Sequence, residues 1–276
     1  MNKLRAVASK LKYNFSHLKK KERGAIVINS IQKSGTNYMR LLLGNYIFLI
    51  SNLHSVDYDE MHGAFPNSRE QMYNGFYTKV KKNNPIFKTK YKDIIHGHFY
   101  MGLKQNNYEK LIFLYRNPLD QIISRFNYKY KNRPSKANLY NSPSEIIDES
   151  LLIYMAHFKA IQKIHNDKKS LLKIPYELLT KEPEVILMLV LSYLNIEIDY
   201  KIVRQSVEES SINKVLECEH KRGRAIHSPD TYKGSFIQSS KVGQWKESFS
   251  EKDVEYIFRK LRENGINPGE FIYDFE

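Results

Sequence analysis

One cysteine, Cys218, and one tryptophan, Trp245, occur in 276 residues. The lone thiol excludes an internal disulfide framework and any cysteine-based metal cluster, and it suits a reducing compartment. No apolar run approaches the length of a membrane span, and the basic N-terminus lacks the apolar stretch of a signal peptide, so a cytoplasmic location is expected. Internal repeats and low-complexity tracts are missing too. Acidic residues are few, 30 against 44 Lys and Arg, leaving a formal charge of +14. That balance favours a polyanionic partner: nucleic acid, anionic lipid, acidic glycan or a highly charged nucleotide. Net charge does not choose among them. The basic residues are spread along the chain and the tyrosines follow no RNA-binding motif, so nucleic acid is not expected.

Apolar residues make up 41% of the chain, enough for a sizeable core, and one domain is expected over 25–276. Residues 1–24 differ in character. Leu4, Val7, Leu11, Phe15 and Leu18 recur at helical spacing among lysines and arginines, the pattern of a basic amphipathic helix. The first reading is a surface helix packed on the domain; the alternative is peripheral contact with an anionic membrane or a polyanionic substrate.

What is present begins with Ala25-Ile26-Val27-Ile28-Asn29-Ser30, a buried β-branched strand, running through Lys33-Ser34-Gly35-Thr36 into an apolar helix over Met39 to Leu49. Gly35 lets the main chain approach an anion, and the first amides of the helix point back at the loop, which is phosphate-binding architecture. It is not a Walker A sequence: Ser30 stands where the first glycine belongs, and Lys33 precedes Gly35. The bland alternative is a strand–helix turn that happens to contain lysine.

Further strands are predicted at Ile94 to His98, Leu111 to Tyr115 and Leu171 to Ile174. Helices are predicted from Pro118 through Phe126, from Ser144 to His165, and over 180–194, 199–209 and 250–264. A polar, positively charged loop is expected from about 217 to 244, and an irregular, partly helical insertion over 51–84. Strands alternating with helices imply an α/β fold, a P-loop-like central parallel sheet with helices on both faces.

A second constellation, Tyr115-Arg116-Asn117-Pro118-Leu119-Asp120 and on to Ser124, lies where a buried strand passes into a helix. Ligands of open α/β sheets bind at such strand ends, and a guanidinium and a hydroxyl there could converge on a second phosphate. The competing reading is a structural ion pair from Arg116 to Asp120 at the helix start.

Taken in order, Lys33-Ser34-Gly35-Thr36-Asn37-Tyr38, then Arg116-Asn117-x-x-Asp120-x-x-x-Ser124, then Lys241-Val242-Gly243-Gln244-Trp245-Lys246 resembles the sulfotransferase family. Those enzymes use 3′-phosphoadenosine 5′-phosphosulfate (PAPS) and release the 3′,5′-bisphosphate PAP. The resemblance implies that Lys33, Ser34, Gly35, Thr36 and Asn37 hold the 5′-phosphosulfate and that Tyr38, where the family usually has tryptophan, stacks on adenine. It implies Arg116 and Ser124 on the 3′-phosphate, Tyr176 of Tyr176-Glu177 on adenine, and Ser210 near it. Ser239, Ser240 and Lys241 fall where the family grips the 3′-phosphate, with Lys233 as a second source of charge.

His98, 18 residues before Arg116, matches the family's catalytic histidine, and His96 stands where the family has lysine. An acceptor hydroxyl must lose its proton as sulfur is attacked, and imidazole titrates near working pH, so His98 is the expected base. Lys33 is expected to neutralise charge on the departing phosphate oxygen. The alternative for His96-Gly97-His98 is a metal site, but no carboxylate or cysteine clusters beside it, and no metal is expected. The strand 111–115 ends in Tyr-Arg rather than in an acidic Mg²⁺ anchor, which disfavours a nucleotide kinase, one rival reading. A non-catalytic polyanion-binding module is the other. Residues 51–84, 131–143 and 217–238 are the expected acceptor walls. Rich in Tyr, Asn, Lys and Arg, they suit a saccharide or glycolipid, with a phenol held between aromatics such as Phe65 and Tyr100 as the alternative.

Overall fold

The computed structural model describes residues 25–55, 94–98, 108–165, 171–222 and 241–274. The N-terminal segment 1–24, nearly all of the insertion expected over 51–84, and the stretch 223–240, with Lys233, Ser239 and Ser240, lie outside them, as do Phe65 and Tyr100.

Four strands form one parallel sheet: β1 (Ala25–Ser30), β2 (Ile94–Gly97), β3 (Tyr108–Tyr115) and β4 (Leu171–Pro175), in the order β2-β1-β3-β4. The chain leaves β1 for a neighbour on one side, then crosses to the other, so the connections diverge at β1. In open α/β sheets that divergence opens a crevice beyond the carboxyl ends of the strands. Register pairs Ile28 with His96 on one side and with Ile112 on the other, which brings the three strand ends level.

Both faces are covered, for a reason visible in the two-residue period of the strands. Ile28, Ile112, Leu114 and Ile174 point into one core, whereas Val27, Leu111 and Phe113 point into the other. The first core receives α1 (Thr36–Ile50), α5 (Pro183–Tyr193) and α6 (Tyr200–Glu209). The second receives α2 (Pro118–Phe126), α3 (Ile147–His165) and α8 (Glu251–Glu263). Nearly all of α1 from Thr36 to Phe48 is buried, as its apolar sequence demands. Its tyrosine hydroxyl is satisfied: Tyr46 Oη donates to the Glu197 carbonyl at 2.6 Å and accepts from Asp199 N at 2.8 Å.

Two expectations need correction in detail, and one helix found where it was expected carries an unforeseen extension. The segment expected as one helix over 180–194 is two, α4 (Tyr176–Lys181) and α5, broken at Glu182 because Pro183 starts a new first turn. Helix α2 is followed by a π-helical turn, Asn127–Lys131, a form that recurs at functional sites. The loop expected from 217 begins later, since α7 runs Ile212–Arg222. Its one buried apolar residue, Val215, leaves a polar sequence that reads as loop.

Candidate functional site

Three strands deliver their chemistry to the same edge. β1 ends at Ser30 and passes through Ile31 to Gly35 into α1, β2 ends beside His98, and β3 ends beside Arg116. The sequence-predicted residues Lys33 to Tyr38, His98, Arg116, Ser124 and Tyr176 therefore all belong to elements opening on the carboxyl edge of the sheet.

The first loop is shaped by two left-handed residues. Lys33 has φ 71 and Gly35 φ 84. At Gly35 a side chain would have no room, because a Cβ would lie 2.7 Å from Tyr176 Cδ2. Gly35 is also the N-cap of α1, with no side-chain cap, so amides at the start of a 15-residue helix face the loop. Ser34 is fully buried and its Oγ has no hydrogen-bond partner among the described residues. A buried hydroxyl without a partner, beside uncapped helix amides, fits an anion. The ammonium of Lys33 stands 4.6 Å from the centre of the Tyr128 ring, on the π-helical turn.

His98 is tied to the root of that loop. Its Nδ1 lies 3.0 Å from the Ser30 carbonyl oxygen, which can only accept, and 2.8 Å from Ser30 Oγ, itself hydrogen-bonded to Thr36 Oγ1. With Nδ1 donating to that carbonyl, the neutral ring carries its lone pair on Nε2, as a base requires. His157 on α3, which no sequence signal marked, is buried beneath: its Nδ1 donates to the Ile153 carbonyl at 2.8 Å and it also meets the main chain of His98. Burial holds its pKa down to about 3, so it packs there as the neutral imidazole. Among the described residues, no group of three or more His, Cys, Asp or Glu is arranged to hold a metal ion.

At the end of β3, Arg116 is 2% exposed, and its Nε has no partner among the described residues. Its guanidinium stacks 4.4 Å from the centre of the Tyr176 ring, donates through Nη2 to the Lys241 carbonyl at 2.9 Å, and lies 3.6 Å from Asp120. Tyr176 thus fills the space between Gly35 and Arg116. The Arg116–Asp120 ion pair expected as the structural reading is present, and the carboxylate does more. Asp120 accepts from the amides of Gly243 (2.8 Å) and Trp245 (3.1 Å), which pins the C-terminal motif beside Arg116. Glu177 accepts from the Asn117 amide at 2.9 Å, and burial raises its pKa. These carboxylate contacts to the main chain are what sequence reasoning did not place.

The remaining predicted residues are spread more widely. Burial, then the proximity of Tyr176, pushes the Tyr38 phenol up to about 12. Ser124 is half-buried on α2. The Ser210 hydroxyl accepts from Asn45 Nδ2 at 2.9 Å and so joins the end of α6 to α1. Lys241 is exposed, and its carbonyl is what meets Arg116.

With this geometry in hand, comparison with known proteins is specific. The family described as Sulfotransferase domain matches residues 23–264. The amine sulfotransferase of Oryctolagus cuniculus is 26% identical over 197 residues, which is 65% of this chain and 63% of that protein. Among solved structures, retinol dehydratase in a complex with retinol and PAP superposes with a TM-score of 0.60 at 16% identity, covering 91% of this chain and 83% of its own. A mouse sulfotransferase complexed with PAP gives 0.59 at 18% identity, covering 87% and 84%. At such identities the structural likeness is one of fold.

Proposed function

Because this chain belongs to the sulfotransferase domain family, we propose that it transfers a sulfuryl group from PAPS to a hydroxyl acceptor. The observation that carries the proposal is the junction at Ser30: one residue roots the anion loop and holds His98 by its Nδ1 proton, so base and donor loop form a single unit.

The buried Ser34 hydroxyl, the uncapped amides of α1 and the unpartnered Nε of Arg116 fit a nucleotide carrying an anion at each end. In this reading Lys33 to Asn37 hold the 5′-phosphosulfate, Arg116 and Ser124 hold the 3′-phosphate, and Tyr38 and Tyr176 take the adenine. Ser210 and Lys241, with Ser239 and Ser240 from the stretch outside the described residues, complete the nucleotide side. When bound, the donor supplies the activated sulfuryl group. His98 Nε2 takes the proton of the acceptor hydroxyl as its oxygen bonds to sulfur. The Lys33 ammonium offsets the negative charge on the phosphate oxygen that departs with the S–O electron pair.

The acceptor is read as a saccharide or glycolipid, with a phenol as the alternative. Support comes from the wall at 131–143, whose side chains Lys131, Asn132, Arg133 and Lys136 are polar or cationic, with Arg133 set 5.4 Å from the centre of the Tyr128 ring. A cytoplasmic site of action belongs to the same proposal and is supported by the lone Cys218. No described helix is long and apolar enough to cross a membrane.

Labelled sulfate from PAPS, offered with panels of saccharides, glycolipids and phenols, tests both levels. Label should appear in hydroxylated sugars, and His98→Ala should lower kcat by about 10²- to 10⁴-fold. Modification of phenols alone would overturn the acceptor class; His98→Ala activity near wild type would remove the base.

A further inference from the structure

Lys33 holds a backbone conformation that non-glycine residues adopt only at a cost, and something must hold it there. The preceding residue, Gln32, is gripped twice. Its carbonyl accepts from Gln121 Nε2 at 2.9 Å, and its side-chain Oε1 accepts from Arg125 Nη1 at 3.0 Å. Both donors stand one turn apart on α2 and are 1% and 4% exposed. Arg125 is itself anchored, donating through Nη2 to Glu149 Oε1 at 2.9 Å, and Glu149 also accepts from Tyr130 Oη at 2.7 Å and from Lys129.

We propose that Gln121 and Arg125 are positioning residues that lock Gln32 and thereby set the backbone of Lys33 for sulfuryl transfer. The link is geometric. The Gln32 carbonyl and the Lys33 amide belong to one rigid peptide plane, and rotation of that plane about N–Cα is the φ angle of Lys33. A hydrogen bond that holds the carbonyl holds that plane and so restrains φ. The side-chain bond to Arg125 prevents Gln32 from turning away, and the π-helical turn that continues α2 brings Tyr128 to the other end of the same lysine. Helix α2 begins beside Arg116 and carries Ser124, so one element aligns the loop for the 5′ end of the donor with residues assigned to its 3′ end. This inference rests on the sulfuryl-transfer reading, in which Lys33 acts on the leaving oxygen.

The test is a double-mutant cycle on full-length protein: wild type, Gln121→Ala, Lys33→Ala and the double variant, measured for kcat with PAPS and for PAP affinity by calorimetry. Gln121→Ala should lower kcat and PAP affinity by about five- to tenfold, with the acceptor KM unchanged. In the Lys33→Ala background the same substitution should cost no further kcat, because Gln121 acts on the transfer step through the Lys33 ammonium. A loss that multiplies in full in the double variant, or no loss in the single, would overturn the proposal. Gln32→Ala, at a half-buried position, runs in parallel, so that the clamp is still tested if Gln121→Ala folds poorly. Its smaller loss should likewise vanish without Lys33, and additivity there would count equally against the clamp. Absence of any transfer or PAP binding in the wild type would instead sink the sulfuryl-transfer reading, and the clamp with it.

Discussion

Gly35 is the residue at which conformation and packing agree most sharply. Its φ of 84 suits glycine, and the space a Cβ would need is taken by Tyr176 Cδ2 at 2.7 Å and Leu179 Cδ2 at 3.1 Å. Gly35→Ala should therefore destabilise the fold by about 1–3 kcal/mol and weaken PAP binding, read from urea midpoints and calorimetry. Unchanged values on both would show that the loop is not under this constraint. The glycine and its lysine were legible in the sequence because a strand–loop–helix junction declares itself locally. Gln32 with Gln121 was not: the two are 89 positions apart, and an amide on an otherwise buried helix face carries no periodic signal. His157 escaped notice similarly, as an ordinary histidine inside a long helix.

At the scale of elements, the Glu149 cluster joins α3 to the end of α2. Burial alone would raise the Glu149 pKa, but hydrogen bonds from Lys129, Tyr130 and Arg125 bring it from an ordinary 4.5 down to about 2. A folded pKa below the unfolded one contributes stability that is complete above about pH 4.5 and is lost as the pH falls toward about 2. Wild type should thus lose more stability than Glu149→Gln between about pH 6 and pH 3, with parallel urea-midpoint curves as the contradicting result. All four described strands were legible, since β-branched and aromatic runs of four to eight residues bounded by loops have few alternatives. Less legible were the break at Glu182, the π-helical turn and the true extent of α7. The first depends on one proline within an apolar stretch, the second on tertiary packing beneath Tyr130, and the third on a helix with little to bury.

For the whole molecule, the strand order β2-β1-β3-β4 does the assembling. It sets the ends of β1, β2 and β3 side by side, so Lys33, His98 and Arg116, which follow three different strands, lie at the same carboxyl edge of the sheet. Parallel topology followed from the alternation of strands and helices, but the order did not, because the apolar runs of β1 and β3 mark buried strands without saying which neighbour lies on which side. The role of Asp120 as the pin of the 241–245 motif emerges only from that order. The central claim is that one nucleotide spans the anion loop and Arg116, and a crystal structure of the protein soaked with PAP tests it most directly. The 5′-phosphate should lie on the amides of Ser34, Gly35 and Thr36, with the 3′-phosphate against Arg116 Nε. PAP lodged away from these groups, or touching only one of them, would contradict the account.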